Sequence, residues 1–419
     1  MQLGEITEPK IDQAGPPPTG EFTYVDISSV DNGAKRIVEP KRLPADSAPS
    51  RAKQRLRSGD VLVSMTRPNL NAVAIVPAEL DGAIGSTGFH VLRARESVVP
   101  QWLYYGVQTR QFVGAMSELV QGALYPAVRP KDIRAFDIPL PALDEQRRIV
   151  AEIEKQFSRL DEAVANLKRV KANLKRQRSS VLHAVTSGGL AAEGQAAPRQ
   201  EEWRWLTIEE LASAAPRSIQ SGPFGSNLRH SEFQRSGKLV IGIDNVRDGE
   251  FTIGLSHRVS EAKFQELDKY AARPGDVLIT VMATIGRVCV VPDDVEPAII
   301  TKHVYRITVN CELAIPGCVA IALRGSREVR AQLMDSVQGQ TRPGLNGSLI
   351  KKIRVPLPPL AYQRSIVAEV DRRLSIVHQL EAEVDASLRR AHSLRDAVLS
   401  RAFAGTPAVD VLSADRALS

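Results

Sequence analysis

The feature that most restricts how this chain can fold is an internal repeat, kept in strict register where the sequence is least able to fold alone. The stretch Ile138-Pro-Leu-Pro-Ala-Leu-Asp-Glu-Gln-Arg-Arg-Ile-Val-Ala-Glu-Ile153 returns 217 positions later as Val355-Pro-Leu-Pro-Pro-Leu-Ala-Tyr-Gln-Arg-Ser-Ile-Val-Ala-Glu-Val370. So long a period marks a duplicated domain rather than a solenoid. The same shift pairs Val120-Gln121-Gly122 with Val337-Gln338-Gly339 and Ser187-Gly188 with Ala404-Gly405. Upstream the shift falls to 216 between Gly59-Asp-Val-Leu62 and Gly275-Asp-Val-Leu278, to 215 between Val76-Pro77 and Val291-Pro292, and to 213 between His90 and His303. A shared scaffold carrying two diverged bodies fits this drift.

Each signature heads a long helix. From Asp144 to Val185 there is neither proline nor glycine, and apolar residues recur every seventh position at Ile153, Leu160, Leu167, Leu174 and Val181, beside Val150, Phe157 and Val164. The second copy has Val370, Val377, Val384, Ala391 and Val398 beside Val367, Leu374 and Leu388. Two apolar positions per heptad make a coiled-coil seam. A helix of this length spans roughly 63 Å, more than one small body can cover. The two helices are therefore expected to pack on each other, antiparallel if the chain crosses back through the second body.

The bodies read as mixed and strand-rich. Phe22–Ile27, Val61–Met65, Val73–Val76 and Phe89–Leu92 are short, β-branched and separated by Gly, Pro, Asn and Asp, as are Lys238–Ile243, Val277–Val281, Val288–Val291 and Val304–Ile307. Helical stretches are expected around Trp102 to Leu119 and Gly317 to Val337, and the alternating prolines keep Ile138–Pro141 and Val355–Pro358 extended. The expected fold is α+β with an internal pseudo-two-fold duplication. Its divisions are a first body 1–143, a helix 144–186, a Gly, Ala and Pro-rich linker 187–202, a second body 203–360, a second helix 361–403 and a tail 404–419.

The duplicated Pro-Leu-Pro-x-Leu-x-x-Gln-Arg-x-Ile-Val-Ala-Glu signature, twice heading a long helix, resembles the specificity subunits of type I restriction-modification enzymes. Gly222-Pro-Phe-Gly-Ser-Asn227, the Gly-Asp-Val-Leu turns and the Gln-Gly sites at 121 and 338 belong to the same likeness. The resemblance implies two target-recognition domains, each reading half of a bipartite, asymmetric site in double-stranded DNA, with the helix pair as a coiled-coil spacer. It implies two methyltransferase subunits that bind S-adenosylmethionine, and a restriction and translocase subunit that uses ATP and Mg. Where the first copy has Asp144 and Glu145, the second has Ala361 and Tyr362, so its first turn suits the helix dipole less well. Without the resemblance, the same features fit a coiled-coil interaction scaffold that binds no DNA.

The chain is expected to catalyse nothing itself. It has no Gly-x-x-x-x-Gly-Lys-Ser/Thr loop, no His-Glu-x-x-His and no Asn/Asp-Pro-Pro-Tyr/Phe, and Gly82-Ala-Ile-Gly-Ser-Thr-Gly88 is misspaced for a dinucleotide. Asp60 and Asp276 follow Gly at turns into strands, where Asp commonly serves the turn itself. Three cysteines without a CxxC spacing favour neither a disulfide framework nor a zinc site, so no metal is expected. No leader and no membrane-length apolar run is read, and the expected compartment is the cytoplasm. The net charge of +7 permits a polyanionic partner without requiring one.

Bases are read by Arg, Lys, Asn and Gln presented on loops. The candidates are Arg67, Asn69, Tyr125 and Arg129 in the first body, and Ser226, Asn227, Arg229, Lys302, Gln340, Arg342 and Asn346 in the second. Lys168, Arg169, Lys171, Lys175, Arg176 and Arg178 form an acid-free run on the first helix. Such a run suits phosphates or a partner, and equally a solvated face.

Overall fold

A computed structural model describes residues 1–122, 126–189, 198–254, 257–335 and 344–404. They form two compact units, Met1–Lys168 with Asp385 onward, and Arg169–Val384. The helices Leu143–Thr186 and Leu360–Ala402 each contribute to both.

Both units build the same sheets. In the first, Lys41–Pro44, Glu21–Val25, Ile84–Ser86 and Ala52–Arg55 lie in that order, with the central pair parallel and the outer pairs antiparallel. In the second, His257–Val259, Lys238–Ile241, Ala298–Ile300 and Ala271–Ala272 repeat the arrangement. A second, antiparallel sheet has Val61–Ser64 between Val73–Ile75 and Phe89–Leu92, matched by Val277–Thr280 between Val288–Val290 and Val304–Ile307. The second unit adds Ile219–Ser221 at the edge of this sheet.

The central strand is buried throughout because both of its faces are covered. Val61 and Val63 enter the core formed with Trp102, Leu103 and the first long helix, while Leu62 faces Val25, Leu56 and Ala83 of the mixed sheet. Val277 and Ile279 likewise join the helical core, with Leu278 on the other face. Period-two alternation thus sorts one strand's side chains between two cores.

The seam is observed within each unit. In the first, Val150, Ile153 and Phe157 are buried with Leu399, and Leu160 and Val398 pack at its margin; Leu167 is half-buried. In the second, Leu182 and Val185 pack on Ile366, Val370 and Leu374, and Leu174, Val377 and Val384 are also buried. The start of one helix meets the end of the other, and the converse, so they run antiparallel. The heptad row slips near its end, where Leu182 is buried and Val181 only partly so. A straight helix drifts ~20° per heptad against a seven-residue repeat.

Three sequence expectations change. The stretch from Trp102 to Leu119 is two helices, Pro100–Gly106 and Arg110–Glu118, because the Thr109 hydroxyl accepts a hydrogen bond from the Phe112 amide and starts a new one. Ser326 does the same for the Val329 amide between Pro316–Gly325 and Arg327–Asp335. His90 and His303 are not equivalent. Strand pairing sets His90 opposite Val63 and Tyr305 opposite Ile279, so the counterpart of His90 is Tyr305, and His303 precedes its strand as Gly88 does. Tyr362, in place of Glu145, is buried against Leu182 and Ile366, so packing replaces the missing dipole partner.

The signature glutamine acts as a clasp. Gln146 is fully buried; its Oε1 accepts from the Val99 amide at 2.9 Å, and its Nε2 donates to the Ser97 and Pro141 carbonyls at 3.1 and 2.9 Å. Gln363 accepts from the Ile315 amide at 2.8 Å and donates to the Pro358 carbonyl at 3.0 Å. Val99 and Ile315 are the N-caps of the helices Pro100–Gly106 and Pro316–Gly325, each followed by a proline. The amide that each glutamine satisfies has no partner in its own helix.

Candidate nucleic-acid interface

Between the first two strands of each antiparallel sheet the chain makes a tight hairpin apex. In the first unit it runs from Met65 to Ala72, entering with Arg67 at φ 48° and leaving with Asn71 at φ 45°. Both are left-handed, a conformation uncommon for residues other than glycine. In the second it runs from Val281 to Arg287, entering with Ala283 at φ 60° and leaving with Gly286 at φ 82°. The second apex is one residue shorter, which is where the repeat shift drops from 216 to 215.

The two apices are pinned alike. The Met65 amide donates to the Gly88 carbonyl and the Val128 amide to the Met65 carbonyl, at 3.0 and 2.8 Å; the Val281 amide donates to the His303 carbonyl and the Leu345 amide to the Val281 carbonyl, at 3.0 and 3.1 Å. The Arg67 amide adds a bond to the Pro126 carbonyl at 2.9 Å. Lys35, which the sequence reading missed, donates from Nζ to the Asn71 carbonyl at 2.5 Å, and burial, reinforced by Arg395, pushes its ammonium down to about 8. Nothing in the sequence marks Lys35 apart from its neighbours on an exposed hairpin.

The candidates separate on this scaffold. Arg67 and Asn69 are exposed on the first apex, and Arg67 makes no side-chain hydrogen bond or ion pair among the described residues. Arg129 is occupied, its guanidinium forking onto Asp132 at 3.0 and 3.2 Å, and this pairing raises the arginine and lowers the carboxyl. Its counterpart Asn346 is likewise engaged, capping the Leu349 amide at 3.0 Å. Lys302 is exposed beside His303, whose imidazole is lowered by burial and then by Lys302.

Ser226 and Asn227 sit in the 3-10 turn Gly225–Asn227, reached through Gly222. A Cβ on Gly222 would lie 2.0 Å from the Ile300 carbonyl oxygen, so only glycine lets this segment pass against the strand end next to Lys302. Arg229 N-caps the next short turn, His230–Glu232, where its amide donates to the Glu232 carboxylate at 2.6 Å. Tyr125, Gln340 and Arg342 lie outside the described residues.

The remaining polar groups are structural in their contacts. Asp60 is forked by Arg93 at 2.8 and 2.7 Å and accepts from the Arg57 amide; Asp276 accepts from the Arg273 amide and the Thr308 hydroxyl, with Arg306 at 4.0 Å. Both therefore serve their turns. In the basic run Arg178 lies 3.9 Å from Asp248, which also takes Arg324 at 3.0 Å, while Lys175 and Arg176 are exposed. Cys289 and Cys318 are buried and Cys311 is exposed; among the described residues no group of His, Cys, Asp or Glu is placed to hold a metal. No helix among them is long and apolar enough to cross a membrane.

Residues 229–386 match the family described as the type I restriction modification DNA specificity domain. Across most of its length the chain is similar to type I restriction-modification specificity subunits. It is 26% identical over 275 residues to the EcoBI specificity subunit of Escherichia coli, spanning 64% of this chain and 58% of that protein. With the EcoKI specificity subunit of the same species it shares 24% over 332 residues, 75% of this chain and 67% of that one. The matched part thus covers under two thirds of the EcoBI protein. Among solved structures, one titled for complex assembly and conformational transition of the type I R-M system is 28% identical with a TM-score of 0.77, covering 96% of each chain. The HsdS subunit from Thermoanaerobacter tengcongensis is 28% identical with a TM-score of 0.53, over 97% of this chain and 96% of that one.

Proposed function

We propose that this chain is the DNA-sequence-recognition subunit of a type I restriction-modification complex and carries out no catalysis itself. Residues 1–143 and 203–360 each read one half of a bipartite, asymmetric site, and the paired helices set the unread spacer between the halves. The observation that carries this is the hairpin apex, pinned by equivalent hydrogen bonds in both units yet furnished with different side chains. A common scaffold with different loops suits two readers of unrelated sequences better than it suits a coiled-coil adaptor.

The partners in this reading are two methyltransferase subunits holding S-adenosylmethionine and a restriction and translocase subunit using ATP and Mg, all acting in the cytoplasm. The test is to co-express the chain with its cognate methyltransferase subunits and expose the complex to a randomised duplex library with S-adenosylmethionine. The methylated molecules are then sequenced. One interrupted asymmetric site with a fixed spacer is expected; an assembled complex that selects no sequence would instead support the adaptor.

A further inference from the structure

The two apices are the same position of one scaffold, and they carry opposite chemistry. The first presents Arg67, exposed and without a side-chain partner among the described residues, on a left-handed backbone whose amide is tied to the Pro126 carbonyl, two residues after Met65, which is tied to Gly88 and Val128. The second has Ala283 at the same left-handed position, preceded by Met282, whose apolar side chain is 39% exposed. Phe224, 57% exposed, lies two residues beyond the Gly222 contact with Ile300, and the His303 carbonyl three residues past Ile300 holds the Val281 amide. The second apex thus presents an exposed apolar side chain, and the first a guanidinium with no side-chain partner among the described residues.

Resting on the recognition reading above, we propose that the apex is the same base-reading position in both bodies, filled by a hydrogen-bonding donor in the first and an apolar surface in the second. Arg67 forks onto the O6 and N7 acceptors of a guanine in one half-site. Met282 and Ala283 meet a thymine methyl in the other. Both are direct readouts available in the major groove, and a guanidinium gives the guanine contact its two parallel donors. The left-handed backbone is the reason to place the reader here. It lifts one residue out of the hairpin and fixes its direction before DNA arrives, so little ordering remains to be done on binding.

The test uses the assembled methyltransferase complex and the randomised-library readout. Arg67→Gly keeps the left-handed backbone, so folding is preserved, and Arg67→Lys keeps the charge without the fork. Both are expected to lower guanine preference about 5- to 150-fold at a single position of one half-site, the other half-site being unchanged. Ala283→Arg is expected to shift one position of the second half-site from thymine towards guanine. Full guanine preference in Arg67→Lys, or an even loss at every position, would mark a phosphate contact and overturn the proposal. A wild-type complex that selects no sequence would overturn the recognition reading; a selective wild type with selective variants at every position would overturn the apex alone.

Discussion

Replacing Gln146 by leucine removes a buried amide that makes three hydrogen bonds to main-chain groups, at nearly constant side-chain volume. The Val99 amide then has no acceptor, and its desolvation costs about 1 to 3 kcal/mol. The Ser97 and Pro141 carbonyls each lose a bond worth about 1 kcal/mol, part of which the added apolar burial returns. The sum is a loss of about 2 to 4 kcal/mol in the first unit. With a urea dependence of about 3 kcal/mol per molar, the midpoint falls by about 1 M. Two units sharing a chain need not unfold together, so the assay is hydrogen exchange across 98–107 against urea, with 277–280 followed in parallel. A 98–107 midpoint that moves by less than about 0.3 M, or equal movement of both segments, would show that Gln146 does not clasp the first unit. Gln363→Leu should reverse the pattern, with a smaller shift because it breaks two bonds.

Other consequences follow from local contacts. Gly249→Ala should destabilise the second unit by more than about 2 kcal/mol in thermal melts, since its φ is 92° and a Cβ would stand 2.0 Å from Nη2 of the buried Arg324. His90 is pushed down to about 4 by burial and then Arg134, from an ordinary 6.5. Its folded form resists protonation, so its contribution is full above pH 6.5 and is lost as pH falls towards 4, at up to about 1.4 kcal/mol per pH unit. His90→Phe should flatten that part of the stability profile in urea titrations at stepped pH. Phe403→Ala removes the ring whose centroid lies 4.3 Å from that of Trp102, tilted by 32°, and should cost about 2 kcal/mol, read as a lowered melting temperature.

Legibility in the sequence followed the physics of each element. The strands Val61–Ser64 and Val304–Ile307 and both long helices were readable because β-branched runs and a seven-residue apolar period reflect burial directly. The signature glutamine was visible as a repeated letter, but its reason was not, because its partners Val99 and Ile315 lie 47 and 48 positions upstream. The left-handed apices were hidden, since neither Arg67 nor Ala283 is a residue that announces such a turn. The short helices Leu3–Ile6 and Ile208–Leu211 were missed because one turn leaves no period to detect. Among the proposed readers, identity alone could not separate Arg67, unpartnered among the described residues, from Arg129, whose charge Asp132 absorbs.

The division of the long helices between units bears on how the protein is made. The second unit is one unbroken stretch, Arg169–Val384, whereas the first needs Arg395 beside Asp161, Asp396 beside Arg110, and Leu399 in its core. On the ribosome the first body emerges early but lacks those partners until residues 395–399 have been made, after the whole of the second unit. The half synthesised second is therefore the half that can finish folding first, and the N-terminal body waits through its synthesis with the face around Phe157 and Trp102 uncovered. That face is where a chaperone would be met, and a premature stop before Leu399 would leave the early-made half incomplete while sparing the later one.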